Sequence, residues 1–178
     1  GETVEHLQII TGELMKGVPE KRPFRVGSFT VIPFYLPHTT RDKDTGQLIP
    51  CFNYGYIVEH KEMGKLLYMT DFEFCRYNFK AMRLNHLVIE CNYCKELVDK
   101  TAENYTHRLK GHCSLDTCKS LVNMNHTAAL RTVTLVHLSN EAADPEQILS
   151  EIQETSGADT IFQIATPGLE INLDLCPF

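Results

Sequence analysis

At 178 residues, the chain has the length of a single domain built round one core. A hydrophobic fraction of 43% and a charged fraction of 22% exclude a disordered or fibrous polypeptide. The net charge of −6 excludes a broad basic surface that would grip duplex nucleic acid through counterion release, although a nucleic-acid end can still enter a cleft.

Residues 1–23 carry Gly12, Gly17, Pro19 and Pro23 among charges and read as a lead-in with one short apolar run, Leu7 to Ile10. The N-terminus lacks the basic and apolar regions of a signal peptide, and no run of about 18 apolar residues occurs, so a soluble, cytoplasmic chain with no membrane contact is expected. From Phe24 the texture changes. Phe29 to Leu36, Phe52 to Val58 and Lys65 to Thr70 are rich in β-branched and aromatic residues and predict three strands in a meander, with a polar turn over Arg41 to Gly46.

After Asp71 strands and helices alternate. His86 to Glu90 predicts a short buried strand, and Ser114 caps a helix that runs to Met124 with Asp116 near its positive end. Arg131 to Val136 is the next strand, and Asp144-Pro145-Glu146 starts a helix with Ile148, Leu149 and Ile152 on one face. Ile161 to Ile164 and Leu169 to Leu173 predict two closing strands around the turn Thr166-Pro167-Gly168. The order implies an α+β fold with a mixed sheet and helices on one face.

Seven cysteines, an odd number in a chain that needs no staples, read as reduced thiols. Cys91 and Cys94 form a C-x-x-C, yet no second pair completes a zinc ribbon, and Cys91 ends a strand instead of opening a helix.

The residues suited to chemistry sit at strand ends: His38 after Val31 to Leu36, Asp71 after Leu66 to Thr70, Glu90 after Leu87 to Ile89, and His137 after Val133 to Val136. Side chains just past the strand ends of an open sheet meet along one rim, where ligands bind. Histidine and aspartate there are natural ligands for zinc, manganese or iron. Taken singly, His38 also fits an ordinary loop histidine and Asp71 an Asx turn or helix cap.

Several stretches taken together resemble the metallo-β-lactamase superfamily, in the branch of tRNase Z and the YycJ/WalJ-like exonucleases. They are Gly27 to His38, Asn53 to Ile57, Leu67 to Phe72, Leu87 to Asn92, Arg108 to Ser114 and Thr134 to Glu141. The resemblance implies the C-terminal half of an αββα sandwich, with residues 24–178 as that half-domain, and a metal-dependent hydrolase of phosphodiester bonds, nuclease-like by descent. It implies further that His38 ligates one metal, Asp71 bridges two and His137 ligates the second, with zinc the expected ion and manganese or iron possible substitutes. Glu90 and His112 are implied as catalytic residues of the outer shell and of proton transfer, His112 protonating the leaving oxygen.

The family signature HxHxDH occurs nowhere among the eight histidines, and Thr39, Tyr93 and Cys94 stand where polar site residues are usual. The alternative is therefore a non-catalytic dimerisation or binding module that keeps the fold. A third possibility is a single metal held by His38, Asp71 and His137 alone. Half of such a sandwich exposes an apolar sheet face, which implies a homodimer or a partner chain to cover it; a nucleic-acid or cyclic-nucleotide substrate is what the resemblance implies.

Overall fold

A computed structural model describes residues 20–155 and 159–176. The first part of the lead-in, with its apolar run Leu7 to Ile10, lies outside the described residues. The strands are β1 (Phe24–Val26), β2 (Phe29–Arg41), β3 (Leu48–His60), β4 (Gly64–Met69), β5 (His86–Glu90), β6 (Thr132–Val136) and β7 (Ile161–Ile164). The α-helices are α1 (Tyr105–Gly111), α2 (Leu115–Asn125) and α3 (Pro145–Gln153), with short 3-10 turns at Lys80–Met82 and Lys95–Leu97.

All seven strands form one sheet in chain order, antiparallel from β1 to β4 and parallel from β4 to β7. The expected meander is thus β2–β3–β4, and the parallel half begins at β4–β5, joined by a crossover with only a short 3-10 turn, and continues through crossovers that carry the three α-helices. β2 runs on through Pro33 and Pro37 because neither ring nitrogen faces β3. Their carbonyls point the other way and accept from the backbone N–H of Lys21 at 2.7 Å and of Glu73 at 3.0 Å.

Period-two alternation divides the sheet into two faces. The row Ile32, Ile57, Leu67, Leu87, Val133 and Phe162 runs in register across six strands on one of them. Phe34, Leu36, Met69, Ile89 and Leu135 share this face, and with Leu115, Cys118, Leu121 and Val122 of α2 and Ile148 and Ile152 of α3 they form the main core. Gly55 lets β3 accept the ring of Phe34 directly above it, where any Cβ would collide with that ring.

Both anticipated helix caps are present. Ser114 Oγ accepts from Thr117 N at 3.2 Å, and Asp144 Oδ1 accepts from Glu146 N at 3.0 Å and Gln147 N at 3.2 Å with Pro145 at the first turn.

The opposite face carries the row Pro33, Tyr56, Tyr68, Val88, Thr134 and Gln163, with no charged residue in it. Among the described residues this face is only partly covered, with Tyr56 37%, Tyr68 40% and Phe52 83% exposed.

One expected strand is absent. Residues 169–173 pair with no strand; the segment instead crosses the lower end of the sheet, where Leu175 N donates to Glu62 O at 2.7 Å and Arg131 donates to Leu175 O at 2.7 Å. The apolar alternation Leu169, Ile171, Leu173 mimics a strand, but there it serves a crossing segment. Cys91, Cys94, Cys113 and Cys118 are free thiols buried in the core. No helix among the described residues is long and apolar enough to cross a membrane.

Candidate metal centre

The upper ends of β4, β5 and β6 bring Asp71, Glu90 and His137 to one rim, and the end of α1 adds His112. Glu90, the last residue of β5, is fully buried. Its Oε1 accepts from His112 Nδ1 at 2.7 Å and lies 3.1 Å from His137 Nδ1, while Oε2 accepts from the backbone N–H of Phe72 at 3.2 Å. Burial alone would raise the Glu90 pKa. The hydrogen bonds from His112 and His137 outweigh it, and the carboxyl is held below its ordinary value. The same bond to Glu90, opposed by burial and aided by the charges of Glu90 and Asp71, raises the pKa of His137.

Asp71, His112 and His137 each offer a donor atom within 4.8 Å of the others. His137 Nδ1 and Asp71 Oδ1 are 3.4 Å apart. One carboxylate and two imidazoles are a donor set that zinc, manganese or iron accepts, and a buried carboxylate behind both imidazoles is the outer shell that fixes ligand orientation. The residues therefore fit a metal. Asp71 is 40% and His137 44% exposed, so solvent or substrate reaches the position between them.

The backbone at this rim is unusual. Asp71 has φ 55° and His137 φ 59°, both in the left-handed region. Such a conformation costs a residue with a side chain about 1–2 kcal/mol and persists only where surrounding contacts hold it.

His38 lies inside β2, not beyond its end, and faces the same rim. Its ring is 5.7 Å from that of His112, and Nδ1 donates to Gly111 O at 2.7 Å, which leaves Nε2 with a free lone pair. A Cβ on Gly111 would meet His38 Cε1 at 3.3 Å and Thr39 O at 3.4 Å, so the approach of α1 to β2 depends on that glycine. His38 is not in the group formed by Asp71, His112 and His137. His112, read from the sequence as a proton-transfer residue, is in it.

Sequence reasoning passed over His107, Arg108, Asn53 and Asn92. His107 packs 5.4 Å from His112, and its Nε2 donates to Thr39 O at 3.0 Å; burial and the neighbouring His112 lower its pKa. Arg108 donates to Ser139 Oγ and Glu141 Oε2, each at 3.0 Å, and so pins the turn that follows His137. Asn92, His107, His112, His137 and Ser139 line a cleft of about 190 Å³. Arg108, Asn53 and Asn92 all sit within the sequence stretches on which the family resemblance rests, and their polarity beside apolar strands was the available signal.

The solved structures most like this one include YhfI of Bacillus subtilis, which superposes with a TM-score of 0.64 over 94% of this chain at 16% identity. Zinc-bound PqqB of Methylobacterium extorquens matches with a TM-score of 0.65 over 96% of the chain at 16% identity. YhfI is itself a metallo-β-lactamase fold protein.

The chain has the metallo-β-lactamase fold.

A diphosphatase of the PhnP family is similar over 94% of the chain, with a TM-score of 0.56 and 16% identity. The chain spans 60% of YhfI, 61% of PqqB and 52% of the diphosphatase, so it carries this metallo-β-lactamase fold over only part of their length. No protein-family model and no curated protein matches the sequence.

Proposed function

We propose that the chain is the C-terminal half of a metal-dependent phosphodiester hydrolase of the tRNase Z and YycJ/WalJ kind, whose site is completed by whatever covers the open sheet face. The observation that carries this reading is the convergence of Asp71, His112 and His137 on one point, backed by the buried carboxylate of Glu90. Asp71, His137 and His112 would hold the first ion, and His38 stands ready with a free Nε2 towards a second. When bound, the metal supplies Lewis acidity at a phosphoryl oxygen and a nucleophile at neutral pH.

The protein's own groups do the remaining work. Glu90 fixes the tautomers of His112 and His137 by accepting from Nδ1 of each, which leaves Nε2 of either ring for a ligand bond or for a proton held at the leaving oxygen. Arg108 and Asn92 hold the turn beyond His137 in place. The cleft of about 190 Å³ beside His112 and His137 is the part of the site that this chain supplies, and in this reading it takes the phosphoryl end of a nucleic acid. The diphosphatase among the similar structures acts on a phosphorus centre, which supports the same class.

The test is zinc uptake by the purified chain together with hydrolysis of bis(p-nitrophenyl) phosphate. Asp71→Ala and His137→Ala each lower zinc affinity at least tenfold and remove any turnover; zinc uptake identical in wild type and both variants overturns the reading.

The uncharged row Pro33, Tyr56, Tyr68 and Val88 favours a second reading, a dimerisation or binding module. In it two copies bury sheet against sheet and metal binding is incidental. Sedimentation velocity tests it: a chain that stays monomeric at tens of micromolar while turning over phosphodiester removes this alternative.

A further inference from the structure

Two of the three converging groups ride on left-handed peptides, and in both the peptide oxygen is held by an asparagine side chain, one from a neighbouring strand and one from just past the end of another. Asn53, in β3, donates through Nδ2 to Thr70 O at 2.7 Å and also to the carbonyl of Asp71. Asn92, just past β5, donates through Nδ2 to His137 O at 2.7 Å. Asn92 reaches further through its backbone, its N–H donating to Cys113 O and its carbonyl accepting from Ser139 N, each at 2.8 Å. It thereby ties the segment carrying His112 to the turn carrying His137. The other left-handed non-glycine residues among those described, Lys21 and Arg83, lie in a turn and at the end of a 3-10 turn, away from the rim.

We propose that Asn53 and Asn92 are positioning residues of the metal centre, each anchoring the left-handed peptide from which a ligand, Asp71 or His137, projects. The inference rests on the metal reading above. An amide suits the task where a carboxylate does not. Nδ2 brings donors to a carbonyl that points away from its own strand, whereas an aspartate in the same place would set oxygen against oxygen. Without the anchor the peptide relaxes towards ordinary φ and swings its side chain off the shared point, so the loss appears in metal affinity more than in folding.

Asn85 supplies the control. It too bridges backbone through its side chain, with Oδ1 accepting from Lys65 N at 3.0 Å and Nδ2 donating to Ala129 O at 3.2 Å, but at the opposite end of the sheet. Asn53→Leu, Asn92→Leu and Asn85→Leu are made in the full chain, and two quantities are read: zinc affinity by competition with a chromophoric chelator, and urea unfolding of the metal-free form. The expected result is a zinc Kd raised about 10–100-fold in the first two variants, as outer-shell losses give elsewhere, and within twofold of wild type in Asn85→Leu, although all three unfold at lower urea. Where a leucine variant does not fold, Asn→Ser at the same position is read with the same criteria. Folded Asn53 and Asn92 variants that bind zinc as wild type does overturn the inference while the metal reading stands; a wild-type chain that takes up no zinc overturns the metal reading and this inference with it.

Discussion

Replacing Glu90 by glutamine keeps the shape of the side chain and removes its charge, in a position with no access to water. The carboxylate accepts from His112 Nδ1 and Phe72 N and sits within 3.1 Å of His137 Nδ1, so both oxygens are committed to donors. The amide has a single acceptor oxygen. If that oxygen faces the histidines, the NH₂ confronts the Phe72 N–H and leaves a buried donor without a partner, at about 1–3 kcal/mol. The bonds that remain lose the strengthening of an ionised acceptor, roughly another 1 kcal/mol. The expected total is about 3 kcal/mol, or about 6–12 °C in Tm for a chain of this size. Melting of the metal-free protein at pH 7 followed by circular dichroism measures it. Because the hydrogen bond to Glu90 is the leading cause of the raised His137 pKa, the NMR titration of that ring moves down in the same variant. A Glu90→Gln protein that melts within about 2 °C of wild type, with His137 unmoved, refutes the account of Glu90 as the group organising the rim.

His86 is buried against Thr132 Oγ1 at 2.8 Å, and burial lowers its pKa, partly offset by the nearby carbonyls of Met63 and Leu173. Its folded pKa lies below the unfolded value, so the unfolded chain takes up the proton first. Stability conferred by the neutral ring is complete above about pH 6.5 and falls as pH drops below it; His86→Leu flattens that acid limb in urea midpoints taken from pH 7 to pH 5. Gly55→Val drives a side chain into the Phe34 ring and costs about 1–3 kcal/mol by overpacking, whereas the same change at Gly46, whose added Cβ meets nothing, is limited to the cost of its φ of 70°. Thiol labelling at pH 7 modifies the exposed Cys176 quickly, while Cys91, Cys113 and Cys118, buried and with pKa values pushed up, react only once denaturant unfolds the protein.

The strands and the two capped helices were legible because each had a local cause: β-branched runs at Phe29 and Phe52, Ser114 before an amphipathic stretch, Asp144 followed by proline. The rim was legible in outline for the same reason, since Asp71, Glu90 and His137 follow apolar runs directly. Helix α1 was not. The residues it buries are Arg108 and Gly111, which carry no apolar signal, and its half-buried Tyr105 and Leu109 pack into a small separate cluster with Tyr93, Val98 and Ala142 that exists only after folding. The strand read over residues 169–173 failed because period-two apolarity does not by itself secure a pairing partner: Leu169 is exposed, and Ile171 and Leu173 are half-buried without joining a ladder. The extension of β2 through two prolines depended on which way the ring nitrogens face, a matter of register between strands. The asparagine anchors follow from backbone dihedrals, which no residue type announces.

The strict chain order of the sheet bears on how the molecule is made. Among the described residues no strand has to be inserted between two that are already paired, so each of them, on leaving the ribosome, meets its earlier described neighbour at a free edge. The hairpin of β2 and β3 closes over a short turn and can template β4, after which β5, β6 and β7 each add to the growing edge behind their own crossover. The rim is assembled in the same sequence: Asp71 is set in place with β4, Glu90 with β5, and His137 only when β6 has docked, so the centre becomes competent late, at the point where the parallel half closes.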